Sequence, residues 1–62
     1  MDKKKILVVD DEADILEIVQ YNLEKGDFAV NTASNGIEAI DIATEWNPDL
    51  ILLDVMMPEM DG

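Results

Sequence analysis

The chain has 62 residues, with four lysines, no arginine and no histidine against 15 acidic residues, for a formal charge of −11. Cysteine is absent as well, which excludes disulfides, zinc and iron–sulfur centres, cysteine nucleophiles and imidazole acid–base chemistry and leaves oxygen donors suited to Mg2+ or Ca2+. Direct nucleic-acid binding is not expected either, since phosphate backbones are held by lysine and arginine and the chain has only four lysines, three of them bunched at Lys3, Lys4 and Lys5.

The first apolar run, Ile6-Leu7-Val8-Val9, is rich in β-branched residues and is stopped by Asp10-Asp11. It predicts a short strand buried on both faces, as in a parallel sheet. Over residues 13–25, Ile15, Ile18, Val19 and Leu23 fall at helical spacing, Leu16 widens the stripe, and Gly26 follows as the residue that ends a helix. Residues 28–32 alternate weakly and predict a strand near a sheet edge. Ser34-Asn35-Gly36 then offers capping side chains for a second helix carried by Ile37, Ala39, Ile40, Ile42 and Ala43 to about Trp46, and Asn47-Pro48 breaks it. Residues 49–54 repeat the first pattern, an apolar run ending in aspartate, and residues 55–62 read as loop.

The order β-α-β-α-β in one domain predicts an α/β fold with parallel strands and right-handed crossovers. In a doubly wound sheet ordered 2-1-3, the two helices cover opposite faces and the switch point lies between strands one and three. Asp10, Asp11 and Asp54 then meet at the carboxyl ends of adjacent strands, about 4.8 Å apart. Carboxylates that close repel one another unless a cation is present. Mg2+ takes one or two carboxylates, sometimes a carbonyl, and keeps positions for phosphate oxygens. The expected chemistry is attack of one carboxylate on phosphorus beside a bound metal.

Each residue has a plainer reading. Asp10 or Asp11 alone serves equally well as a cap for the first helix, and Asp54 alone as a solvent-facing strand end. Gly36 starts a helix and belongs to no phosphate-binding glycine motif. Trp46, Met56, Met57 and Met60 are packing groups, and Glu12, Glu17, Glu38 and Glu45 are solvated helix faces. Two apolar runs that each end in aspartate, in a topology that sets them side by side, weigh against chance.

Ile-Leu-Val-Val-Asp10-Asp11-Glu12, Asn35-Gly36-Ile-Glu38-Ala39 and Pro48-Asp49-Leu-Ile-Leu-Leu-Asp54-Val-Met-Met57-Pro58-Glu-Met60-Asp61-Gly62 together carry a resemblance. They resemble the amino-terminal half of a bacterial response-regulator receiver domain, over essentially the whole chain. The resemblance implies half of a flavodoxin-like sheet, with Asp54 as the phosphoacceptor and Asp10 and Asp11 as the acidic pair that organises Mg2+. The backbone carbonyl of Met56 is implied as a further metal ligand. It also implies two-component signalling, in which a histidine kinase or a small phosphodonor supplies the phosphoryl group and the chain is a phosphoacceptor rather than a true enzyme. Pro58 and Gly62 match the turn after the phosphorylation site.

The departure from the family is that residues 1–62 supply three strands of five. The Thr or Ser that ends strand four and the lysine that ends strand five have no counterpart here, so phosphotransfer is expected to be impaired. A phosphatase of the haloacid-dehalogenase type also forms an aspartyl phosphate, but with Asp-x-Asp after its first strand, where this chain has Asp10-Asp11-Glu12. A third reading is a self-associating interaction module or an inert fragment. Residues 50–53 would present an apolar edge, with Val8, Val9, Ile51 and Leu53 short of cover, and such an edge invites pairing. A homodimer through strand three, in a sheet ordered 2-1-3-3-1-2, is the expected assembly. The longest apolar runs are four residues, so no membrane span or signal peptide is read and cytoplasmic residence is expected.

Overall fold

The computed structural model describes residues 3–53. Within them the elements run β1 (Lys5–Val9), α1 (Ala13–Lys25), β2 (Ala29–Ala33), α2 (Gly36–Trp46) and β3 (Leu50–Leu53). The three strands form one parallel sheet ordered β2-β1-β3. β1 is central, which is why its run can be apolar on both faces: Leu7 and Val8 are fully buried, and Ile6 and Val9 nearly so.

Side chains alternate across the sheet, so β1 divides the core in two. Ile6 and Val8 pack with Leu16, Val19 and Leu23 of α1, joined by Phe28, Val30 and Leu52. Leu7 and Val9 pack on the opposite face with Ala33 and with Ala39, Ile42 and Ala43 of α2. The helices therefore cover opposite faces, as right-handed crossovers running in opposite directions across the sheet, β1 to β2 and then β2 to β3, require. The β-α-β-α-β order, the 2-1-3 sheet and β2 at an edge all agree with the sequence reading.

Several expectations change. Val8 and Val9 are buried rather than short of cover, because α1 and α2 reach them directly. The exposed large apolar residues are Leu50, Ile51 and Leu53 on the outer strand and Ile18, Tyr21, Ile37 and Ile40 on the helices. Ile18 thus leaves the predicted stripe of α1, and Ile37 and Ile40 leave that of α2: the small Ala39 and Ala43 face the sheet in their place. β2 begins one residue later than predicted because the Phe28 N–H donates to the Leu23 carbonyl (3.2 Å), tying Phe28 to the helix exit.

That exit holds a further change. Gly26 has an ordinary φ of −85°, and Asp27 takes the left-handed conformation at φ 73°. Glycine at position 26 has a packing reason instead, since a Cβ there would lie 3.3 Å from the Phe28 ring and 3.4 Å from the Leu23 carbonyl oxygen.

Candidate site at the carboxyl end of the sheet

The ends of β1 and β3 and the start of α2 enclose an open pocket of about 400 Å³ lined by Asp10, Asp11, Ser34, Asn35, Gly36 and Leu53, with Val9 at its base. Asp10 is positioned by the strand it follows. Its N–H continues the β1–β2 ladder by donating to the Ala33 carbonyl (3.1 Å), and the residue is only 6% exposed. Asp10 Oδ1 accepts the Glu12 N–H at 2.9 Å. This turn aims the chain into α1, whose formal N-cap residue, Glu12, makes no side-chain cap of its own. The bond closes a turn ahead of the helix and does not cap α1, since Glu12 lies outside the first helical turn. Asp11, beside it, is exposed.

The far wall is built by a reciprocal cap. Asn35 Oδ1 accepts the Glu38 N–H (2.9 Å), while Glu38 Oε1 accepts both the Ser34 N–H (2.8 Å) and the Ser34 hydroxyl (2.9 Å). The two bonds from Ser34 stabilise the ionised carboxylate and hold Glu38 below its ordinary pKa. Glu38 is solvent-exposed, as expected, yet it is engaged rather than free. The signal was present in the sequence: Ser or Asn followed three residues later by Glu marks a capping box, and Asn35 to Glu38 has that spacing.

Of the predicted site residues, Asp10 and Asp11 come together in this pocket. Asp54 and Met56, with Met57, Pro58, Met60 and Gly62, lie outside the described residues. Leu53, which precedes Asp54 in sequence, pairs with Val9, which precedes Asp10. Among the described residues no group of three metal-ligating side chains occurs. Two neighbouring carboxylates on an open pocket still suit Mg2+, which needs one or two and keeps its waters.

No lysine among the described residues reaches this end. Lys5 starts β1, at the opposite end of the sheet, where its Nζ donates to the Trp46 carbonyl (3.0 Å) and lies 5.8 Å from the Trp46 ring centroid.

The response regulator receiver domain family model matches residues 6–62. The chain belongs to this family. The chain is also 58% identical, over 59 residues, to the alkaline phosphatase synthesis transcriptional regulatory protein PhoP of Bacillus subtilis (strain 168). That match covers 95% of this chain and 25% of the relative, so the receiver sequence here spans about a quarter of that protein's length. The receiver assignment agrees with the strand order and with a pocket at the switch point between β1 and β3. No helix among the described residues of this receiver is long and apolar enough to cross a membrane.

Proposed function

We propose that the chain receives a phosphoryl group in two-component signalling, with Asp54 as the acceptor and Asp10, Asp11, Asp54 and the Met56 carbonyl as the Mg2+ ligands. The observation that carries this reading is Asp10: a carboxylate buried at the end of the central strand, beside an exposed second one, on the rim of a pocket at the switch point. A carboxylate oxygen of Asp54 attacks phosphorus, the bond from phosphorus to the donor breaks, and an acyl phosphate forms on the side chain. The donor is a phosphohistidine of a histidine kinase or a small phosphodonor. Mg2+, when bound, neutralises charge on the phosphoryl oxygens as they approach a strongly acidic chain. Asp10 and Asp11 hold that charge in place, and the Glu12 N–H fixes the orientation of Asp10.

Phosphorylation of these 62 residues alone should be slow, because Lys3 to Lys5 cluster around the start of β1 and Lys25 ends α1. The test is incubation with acetyl phosphate and Mg2+, followed by intact mass measurement. The expected result is a slowly formed adduct of one phosphoryl group, absent without Mg2+ and absent in Asp54→Asn. An adduct that persists in Asp54→Asn would falsify the assignment.

A second reading, self-association through β3, is favoured by the exposure of Leu50 (51%) and Leu53 (67%) on a strand paired along one side only among the described residues. Unpaired strand edges with apolar side chains template further pairing. Sedimentation velocity across a concentration series tests it, and a single monomeric boundary throughout would count against it.

A further inference from the structure

The chain contains four asparagines, and only Asn35 is followed by glycine; Asn22, Asn31 and Asn47 precede Leu23, Thr32 and Pro48. An asparagine side-chain amide is open to attack by the backbone nitrogen of the next residue, and glycine, lacking Cβ, leaves that approach clear. Here Asn35 and Gly36 are both exposed, and nothing lies within 4 Å of the position a Gly36 Cβ would take. Gly36 is the first residue of α2, so its N–H is one of those with no partner inside the helix.

We propose that Asn35 is a site of spontaneous deamidation, which rewrites the charge and backbone of the pocket wall beside Asp10 and Asp11. The Gly36 nitrogen bonds to Asn35 Cγ, the side-chain nitrogen leaves as ammonia with the Gly36 amide proton, and a five-membered succinimide closes. Water then adds and breaks one of the two imide C–N bonds. One opening gives aspartate at position 35 and the other isoaspartate, with no oxidant or reductant needed.

The native bonds set the pace. Asn35 Oδ1 is held by the Glu38 N–H and the Asn35 carbonyl by the Ala39 N–H (3.0 Å), which keeps the amide turned along the helix. Reaction therefore proceeds through opening of the first turn of α2, and the Glu38–Ser34 bonds restrain that opening. The products differ in consequence. Aspartate caps a helix as well as asparagine does, so it adds one negative charge to an acidic pocket and leaves α2 in place. Isoaspartate carries the main chain through the side chain, adds a methylene and pulls the Asn35 carbonyl away from Ala39.

The test is storage of the folded chain at mildly alkaline pH and body temperature, with intact mass, peptide mapping and enzymatic isoaspartate methylation at intervals. The expected result is a gain of one mass unit and release of ammonia, mapped to Asn35, with both aspartate and isoaspartate formed. Gly36→Ala, which the open space at that position accommodates, should slow the reaction by an order of magnitude or more, and Glu38→Ala should speed it several-fold. The proposal is overturned if Asn22, Asn31 or Asn47 reacts first or if Gly36→Ala reacts at the parent rate. It is equally overturned if the folded chain keeps its mass while the urea-unfolded chain loses ammonia.

Discussion

Lys5 and Asp49 exchange two hydrogen bonds: the Lys5 N–H donates to Asp49 Oδ2 at 2.8 Å, and the Asp49 N–H donates to the Lys5 carbonyl at 2.8 Å. The pair sits one step before the first β1–β3 partners, Ile6 and Leu50. It therefore starts the register that ends with Val9 opposite Leu53 at the pocket. Asp49→Ala removes the side-chain acceptor and should cost about 1 kcal/mol, the usual net worth of one hydrogen bond. Asp49→Asn keeps an oxygen acceptor and should cost less. Urea denaturation of the two variants against the parent checks the order.

The left-handed residue after α1 supplies a second expectation. Asp27 carries φ 73° with a Cβ, a conformation that costs non-glycine residues of the order of 1 kcal/mol. Its ion pair with Lys3, at 3.7 Å and largely exposed, returns little. Asp27→Gly should stabilise the fold by about 0.5–1 kcal/mol. Asn47, at φ 57°, is like aspartate a residue that visits this region, and asparagine is the usual alternative to glycine at a helix end, so Asn47→Gly should gain less, roughly a few tenths of a kcal/mol. Gly26→Ala should fail to stabilise despite alanine's helix propensity, because the added methyl meets the Phe28 ring. Thermal melts of the three variants separate these cases.

The capping network gives a pH dependence with a definite sign. Glu38 is held below the usual 4.5 of a glutamate by the bonds from Ser34. A carboxylate with a depressed pKa in the fold adds stability that is complete above its unfolded value and is lost as pH falls through its folded value. The start of α2 should therefore be fully protected above about pH 4.5 and loosen below it. Carboxyl-carbon NMR should place the Glu38 midpoint lower than that of Glu38 in a peptide of the same sequence. Ser34→Ala, which removes the hydroxyl bond and keeps the N–H, should recover part of the difference.

Much of this was legible in the sequence, for identifiable reasons. The β-branched run Ile6 to Val9 reads as a strand buried on both faces, parallel pairing followed from alternating strands and helices, and the 2-1-3 order from taking the sheet as doubly wound. What escaped was which large apolar residues would be covered. Periodicity places Ile18, Ile37 and Ile40 on stripes, but α2 turns Ala39, Ile42 and Ala43 to the sheet and α1 turns Leu16, Val19 and Leu23 to it, which leaves those three isoleucines exposed. Asp10 was legible as an end-of-strand carboxylate, yet not as the acceptor for Glu12, because the turn geometry is decided by how β1 meets α1. Asp27 escaped because Gly26 beside it is the residue that pattern rules nominate.

At the pocket, substitutions at Asp10 can separate folding from metal binding. Asp10→Asn keeps an oxygen for the Glu12 N–H, whereas Asp10→Ala leaves that donor without its partner at a cost of about 1 kcal/mol or more. On the proposed reading, both variants should weaken Mg2+ binding by at least about tenfold, equivalent to about 1.4 kcal/mol, and only Asp10→Ala should lower the urea midpoint appreciably. Amide shifts followed through a Mg2+ titration, with Asp11 and Asn35 as reporters, check the first part. Equal Mg2+ affinity in parent and Asp10→Asn would remove Asp10 from the ligand set.

The exposed edge supports a last expectation. Ile51 and Leu53 share their face of the sheet with Leu7 and Val9, and with Ala39 and Ile40 they border an apolar groove of about 280 Å³. Leu53 is 67% exposed, so replacing it removes little buried surface within one chain. A lysine at an edge strand blocks pairing by setting a charge where another strand would pack. On the proposed self-association through β3, Leu53→Lys should therefore leave the folded content by circular dichroism nearly unchanged in dilute solution while abolishing concentration-dependent sedimentation. Lys5→Ala serves as the contrast: it removes the bond to the Trp46 carbonyl at the other end of the sheet, and should lower stability without changing self-association. If Leu53→Lys still associates as the parent does, the surface responsible lies elsewhere than on β3.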